Sequence, residues 1–139
     1  MNISIKPLSQ YDLMKYVKKL KLENFRGIYM RDTFPKNYNK NKKECGILNL
    51  DSIKGSGTHW TCWYKNNKNL CYYFDSFGSG PPIEFEEYIQ CDVYYSTYQI
   101  QKFNDVICGH LCLMVLYGLE RLKMNFHSVL SELFFLYNK

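Results

Sequence analysis

Two absences narrow the class of protein before any motif is considered. The longest apolar run, residues 106–119, contains His110 and is too short to span a bilayer. Residues 1–7 lack the apolar core of a secretory signal peptide. We therefore expect a protein that neither crosses a membrane nor is secreted. The six cysteines are then expected to be reduced thiols rather than a disulfide framework.

Alanine is also absent, whereas Lys, Asn, Ile and Tyr are abundant. This bias indicates an AT-rich genome and excludes no activity. The chain has 139 residues, of which 46% are hydrophobic and 17% aromatic. That is enough to bury one core, so residues 1–139 are predicted to form a single domain.

Positive charge is concentrated in the first third of the chain. Residues 15–43 contain ten Lys or Arg and two acidic residues, a net +8, whereas the whole chain carries only +5. Such a segment favours nucleic acid or another polyanion as a partner. A solvated surface explains the same charge, and no aromatic–basic motif of a known nucleic-acid-binding module is present. A solvated surface is therefore the preferred interpretation, with a polyanion as the alternative.

Hydrophobic periodicity predicts a mixture of helices and strands. A polar turn at 65–69 joins two strands and predicts a hairpin. Antiparallel pairing would bring His59 and Asp75 to the same end of the sheet. Residues 24–41 are predicted to be a loop. The predicted helices are 9–20, 82–89, 108–117 and 126–137, and the predicted strands are 45–50, 58–64, 70–75 and 92–96.

Cys108 opens a helix that is apolar on almost every face and therefore belongs in the middle of a core. Asn104 or Asp105 is predicted to cap it. A thiol in the first turn meets unpaired N–H groups and the positive end of the helix dipole, which lower its pKa. These features predict that Cys108 is the nucleophile of a cysteine protease.

Three residues upstream suit the other roles in nucleophilic catalysis. His59 follows a flexible Gly-Ser-Gly approach and is the candidate base, and Asp75 is the candidate partner that orients it. Gln101 is the candidate oxyanion donor, with the backbone N–H of Cys108 as the second donor. Each residue alone also has a purely structural explanation. The joint order His, Asp, Gln, Cys is what favours catalysis.

The residues around these four positions resemble the adenovirus-type cysteine proteases (adenains). The same catalytic order occurs in the related SUMO-deconjugating proteases. The resemblance covers roughly residues 9–120. Its segments are Phe25–Tyr29, Phe34-Pro35, Glu44–Asn49, Gly57–Trp60, Phe74–Gly78, Gln101 with Asn104, Cys108-Gly109 and Cys112.

The resemblance implies a single-domain α+β fold, with a central, mainly antiparallel sheet flanked by helices. The nucleophile would lie at the N-terminus of a buried central helix. By position, His59, Asp75, Gln101 and Cys108 would be the catalytic set. Trp60, Gly57 and Gly109 would bind substrate near a Gly-containing cleavage site.

The resemblance also implies a set of partners and a location. The substrates would be capsid or core precursor proteins of a virus or virus-like element, cleaved in the host nucleus or cytoplasm or in the virion. No metal or cofactor is expected for the chemistry, and a monomer is expected. DNA, through residues 15–43, or a virion-derived peptide would be activators.

The sequence departs from the adenoviral pattern in three ways. Its carboxylate is Asp75, where the adenoviral enzymes have Glu and the SUMO-deconjugating relatives have Asp. The chain ends soon after the core helix. Cys91 lies one position away from the place of the cysteine that links the activating peptide, and it is expected to be structural or inert.

Two alternative functions stay open. The first is a deconjugating protease for ubiquitin-like or SUMO proteins, which would use the same catalytic residues. The second is a non-enzymatic zinc-binding or protein-binding module, with ligands drawn from His59-x-x-Cys62 and Cys108-x-His110-x-Cys112. The spacing disfavours zinc, because residues two apart on a helix, or three apart on a strand, do not face the same side.

Overall fold

The computed structural model describes residues 6–37, 42–52, 59–102 and 105–137, which contain four helices and five strands. The helices are α1 (Gln10–Lys19), α2 (Ile83–Ile89), α3 (Cys108–Glu120) and α4 (Phe126–Tyr137). The strands are β1 (Phe25–Met30), β2 (Glu44–Asn49), β3 (Trp60–Lys65), β4 (Leu70–Phe74) and β5 (Asp92–Tyr95).

The strands form one mixed sheet in the order β1-β2-β3-β4-β5. The inner pairings, β2–β3 and β3–β4, are antiparallel. The outer pairings, β1–β2 and β4–β5, are parallel. The predicted α+β class is confirmed, but the sheet is evenly mixed rather than mainly antiparallel.

Strand β1 lies within the stretch predicted to be a loop, so that prediction was wrong. The register against β2 shifts between Phe25 and Gly27, as it does at a β-bulge. A bulge breaks the two-residue alternation from which strands are recognised, and all six residues of β1 are half-buried. Residues 38–41 of the predicted loop lie outside the described residues.

The predicted hairpin forms from β3 and β4. Asn66 closes its turn, because its side-chain Oδ1 accepts hydrogen bonds from the N–H groups of Lys68 (2.9 Å) and Leu70 (3.2 Å). Asn69 adopts a left-handed conformation with φ 62°. His59 precedes β3 and Asp75 follows β4, so the two side chains meet at the opposite end of the hairpin.

The two faces of the sheet carry separate hydrophobic clusters, because successive strand residues point to opposite sides. On one face, Trp60 and Cys62 of β3 pack with α1, α3 and α4. On the other face, Trp63 packs against α2 in a cluster rich in aromatic rings. Eleven of the thirteen residues of α3 are buried, so this helix is central to the first cluster.

The helix starts differ in how their N–H groups are satisfied. Ser9 and Asp12 form the expected capping box on α1, and Asn125 accepts from the N–H of Ser128 on α4. At α3 the predicted cap was wrong for Asp105, because the N-cap is Ile107, which makes no side-chain hydrogen bond. Asn104 lies outside the described residues.

Candidate active site

The hairpin brings His59 and Asp75 into direct contact. His59 Nε2 lies 2.8 Å from Asp75 Oδ1, and their side chains are only 11% and 1% exposed. Asp75 Oδ1 also accepts a hydrogen bond from the backbone N–H of Phe77 (2.8 Å). The carboxylate is therefore held in place by the turn that follows β4, and it fixes one nitrogen of the imidazole.

Cys108 lies on the other side of the imidazole, at the first residue of α3. Because Nε2 of His59 is bonded to Asp75, Nδ1 is the nitrogen that remains for Cys108. Burial alone would raise the pKa of Cys108, but the hydrogen bond with His59 and backbone hydrogen bonds from Trp60 and Gly109 outweigh it and lower this pKa. The sulfur therefore lies in a setting that favours the thiolate.

The pKa of His59 responds to the same contacts in the opposite direction. Burial alone would lower it, but hydrogen bonds and opposite charge from Asp75 and Cys108 raise it to about 9. Both shifts favour one charge state, an imidazolium beside a thiolate. A preformed ion pair of this kind is what a cysteine nucleophile requires at neutral pH.

Gln101 is fully buried beside the same turn, at 1% exposure. Its Oε1 accepts a hydrogen bond from Ser76 Oγ (2.6 Å), and its Nε2 donates to the carbonyl of Asp105 (2.6 Å). Its backbone N–H bonds to the carbonyl of Ser76 (3.0 Å). Gln101 is thus tied both to the residue after Asp75 and to the segment that leads into Cys108.

The predicted substrate-binding residues have different environments. Trp60 is 7% exposed, and its indole N–H donates to the carbonyl of Leu8 (2.9 Å). A Cβ atom on Gly109 would lie 3.2 Å from Leu13 and 3.3 Å from Trp60. The packing of α3 therefore already explains the glycine, and a substrate role for it stays a prediction. Gly57 lies outside the described residues.

Two residues at the site were missed by sequence reasoning. The ring of Phe77 stacks on the imidazole of His59, with centroids 4.4 Å apart and planes 14° apart. Ser76 holds the amide of Gln101, as described above. Their position directly after Asp75 was the available signal. Gly78 completes this turn at φ +81°, where a Cβ atom would lie 2.6 Å from the Thr97 carbonyl oxygen.

The candidate zinc ligands are engaged elsewhere. His59 bonds to Asp75, and Cys62 Sγ donates to the backbone carbonyl of Cys112 (3.8 Å). Within residues 6–37, 42–52, 59–102 and 105–137, no three His, Cys, Asp or Glu side chains are grouped as metal ligands. Across the same residues, no helix is both long and apolar enough to cross a bilayer.

Comparison with known proteins shows that the chain is similar to viral cysteine proteases of the adenovirus type. The profile of the adenovirus endoprotease family matches residues 25–81. This match contains His59 and Asp75 and ends before Gln101 and Cys108. It supports the resemblance drawn from the sequence. A search of curated proteins gives no match.

Among solved structures, the chain is similar to the pS273R protease of ASFV (African swine fever virus). The crystal structure of that protease aligns with a TM-score of 0.61 and 16% identity, over 94% of this chain and 66% of the other. Its selenomethionine form aligns with a TM-score of 0.58 and 13% identity, over the same shares. The fold is therefore shared, and this chain spans about two thirds of the length of that protease.

Proposed function

We propose that the chain is a cysteine endopeptidase of a virus or virus-like element, with Cys108 as the nucleophile. His59 is the base that holds the thiol proton, and it then serves as acid for the leaving amine and as base for water. Asp75 orients His59, and Gln101 donates to the oxyanion. The observation that carries the proposal is the position of the His59 imidazole. It is hydrogen-bonded to a buried carboxylate on one side and to the thiol at the start of α3 on the other.

These contacts support a two-step acyl transfer. The Cys108 thiolate attacks the peptide carbonyl carbon, and the carbonyl electrons move to oxygen, where Gln101 and the N–H of Cys108 stabilise the charge. Collapse breaks the C–N bond, and the His59 imidazolium gives its proton to the leaving amine. His59 then takes a proton from water, which attacks the thioester. The C–S bond breaks and releases the carboxylate product and the Cys108 thiolate, so the thiolate and the His59 imidazolium are restored.

The proposed substrates are capsid or core precursor polypeptides cleaved near glycine. A peptide library that varies the residues on both sides of the scissile bond tests this. The expected result is cleavage that favours small residues, lost in Cys108→Ser and kept in the matched variant Cys91→Ser. Equal rates for glycine and bulky residues would refute the glycine preference. Release of a ubiquitin-like protein from an isopeptide-linked conjugate, without peptide cleavage, would instead favour a deconjugase.

Nucleic acid is the first proposed activator. Lys15, Lys18 and Lys19 line one exposed patch of α1. Arg31 is neutralised by Glu84 at 3.0 Å, so it contributes less to any phosphate-binding surface. If phosphates bind α1, added DNA should increase cleavage at low salt and lose its effect as salt rises. A flat titration at low salt would refute activation by DNA.

A peptide linked through a cysteine is the second proposed activator. Cys91 is partly buried, and its thiol hydrogen-bonds with that of Cys71. This contact fits the expected structural role better than a free attachment point. Cleavage assays with candidate virion peptides, with and without reductant, would decide between the two roles. We further propose that the enzyme acts as a monomer within the infected cell or virion.

A further inference from the structure

We infer that Ser76 is a positioning residue for oxyanion stabilisation, because it fixes the orientation of the Gln101 side-chain amide. This inference rests on the proposed peptidase function and adds a residue to its machinery. Ser76 is fully buried, and its hydroxyl donates to Gln101 Oε1 at 2.6 Å. The role differs from that of Gln101, since Ser76 acts on the substrate only through the amide.

The orientation of a primary amide matters because its two ends are chemically opposite. One end accepts hydrogen bonds, and the other carries two N–H donors. Ser76 occupies the oxygen end of Gln101, and the Asp105 carbonyl accepts one of the two N–H groups at 2.6 Å. The second N–H is then left to donate to the oxyanion. A reversed amide would place two acceptors, Oε1 and the Asp105 carbonyl oxygen, against each other.

The backbone of Ser76 reinforces this arrangement. Its carbonyl accepts hydrogen bonds from the N–H groups of Ile100 (2.8 Å) and Gln101 (3.0 Å). The backbone of Gln101 is therefore pinned to the same residue that orients its side chain. Asp75 comes immediately before Ser76, so the turn after β4 positions both the partner of His59 and the oxyanion donor.

Loss of the hydroxyl should affect acyl transfer and leave the nucleophile unchanged. In Ser76→Ala, Gln101 Oε1 is buried without its donor, so the amide loses one of its two side-chain restraints. Removing an oxyanion donor outright lowers kcat about 100- to 1000-fold in well-studied hydrolases. Loss of a positioning bond should cost less, and we expect a decrease of about tenfold in kcat with little change in KM.

The test is a double-mutant cycle with two readouts. Wild type, Ser76→Ala, Gln101→Ala and the double variant are compared for peptide cleavage, with Ser131→Ala of α4 as the matched serine control. Alkylation of Cys108 by iodoacetamide is measured in parallel. Substitution at a saturated carbon develops no oxyanion, so alkylation reports only on the Cys108–His59 pair.

The expected result is that Ser76→Ala slows cleavage but not alkylation, and that it adds no further loss in the Gln101→Ala background. An unchanged cleavage rate, a fully additive loss, or an equal slowing of alkylation would overturn the role of Ser76. These outcomes leave the peptidase itself intact. Absence of both cleavage and selective Cys108 labelling in the wild type would instead overturn the proposed function, and with it the need for an oxyanion donor.

Discussion

Replacing Asp75 with asparagine removes a negative charge from beside His59 while keeping the size of the side chain. His59 has a pKa of about 9 despite burial, which acts to lower it. The ordinary pKa of histidine is about 6.5, and each pKa unit corresponds to about 1.4 kcal/mol. The site therefore stabilises the imidazolium, relative to the neutral ring, by on the order of 3 kcal/mol. The hydrogen bonds that the imidazolium donates to Asp75 and Cys108 both contribute to this stabilisation, and the substitution removes the contribution of the carboxylate.

The expected consequence is a change in the ionisation of Cys108. Without the carboxylate, the pKa of His59 falls, so the thiolate is paired with a positive imidazolium over a narrower pH range. Burial raises the pKa of Cys108, and the charge of His59 then opposes this rise less strongly. We expect the midpoint of thiolate formation in Asp75→Asn to move from below the ordinary thiol pKa of about 8.5 to that value or above.

The assay is the rate of Cys108 alkylation as a function of pH, mapped by mass spectrometry. The midpoint is the quantity to compare, because a thiolate with a higher pKa is intrinsically more nucleophilic and partly masks a loss of amplitude. Asp92→Asn is the matched control, since Asp92 is exposed and pairs with Leu70 at the other end of β4. An identical midpoint in the wild type and Asp75→Asn would show that Asp75 does not control the ionisation of Cys108.

Three further predictions concern cleavage and stability. As pH rises, kcat/KM should first increase because Cys108 ionises. It should then fall near pH 9, because His59 loses the proton that the leaving amine needs. A fall near pH 6.5 would contradict this assignment. Gly46→Ala should lower the free energy of unfolding in urea by about 1–3 kcal/mol, because the new methyl group would overlap the buried Trp63 ring. Phe77→Ala should lower kcat/KM about tenfold through loss of the ring stacked on His59, whereas Phe77→Tyr should retain activity.

Local patterns predicted the hairpin and, with it, the contact between His59 and Asp75. The polar turn at 65–69 marks the hairpin, and antiparallel geometry then places the strand start and the strand end together. The thiol at the start of α3 was also predictable, because an almost entirely apolar helix must lie in the core. These inferences need only neighbouring residues and simple topology.

Other features depend on contacts that neighbouring residues do not encode. β1 was missed because a bulge between Phe25 and Gly27 removes its alternation. The parallel pairing of β5 with β4 follows from the return of the chain through α2, which no short pattern specifies. The bond between Ser76 and Gln101 joins residues 25 positions apart. A hydroxyl after a strand-ending aspartate gives no sign of such a partner.

Activation of Cys108 by His59 is the step on which the proposed peptidase depends. The most direct measurement is the alkylation rate of each of the six cysteine thiols at pH 7 in the wild type and in His59→Ala. His127→Ala is the control, because His127 is exposed on α4. Cys91, which is more exposed than Cys108, serves as the internal comparison. We expect Cys108 to react fastest in the wild type and in His127→Ala, and to slow strongly in His59→Ala alone. Faster labelling of Cys91 than of Cys108, or equal Cys108 rates in all three proteins, would contradict it.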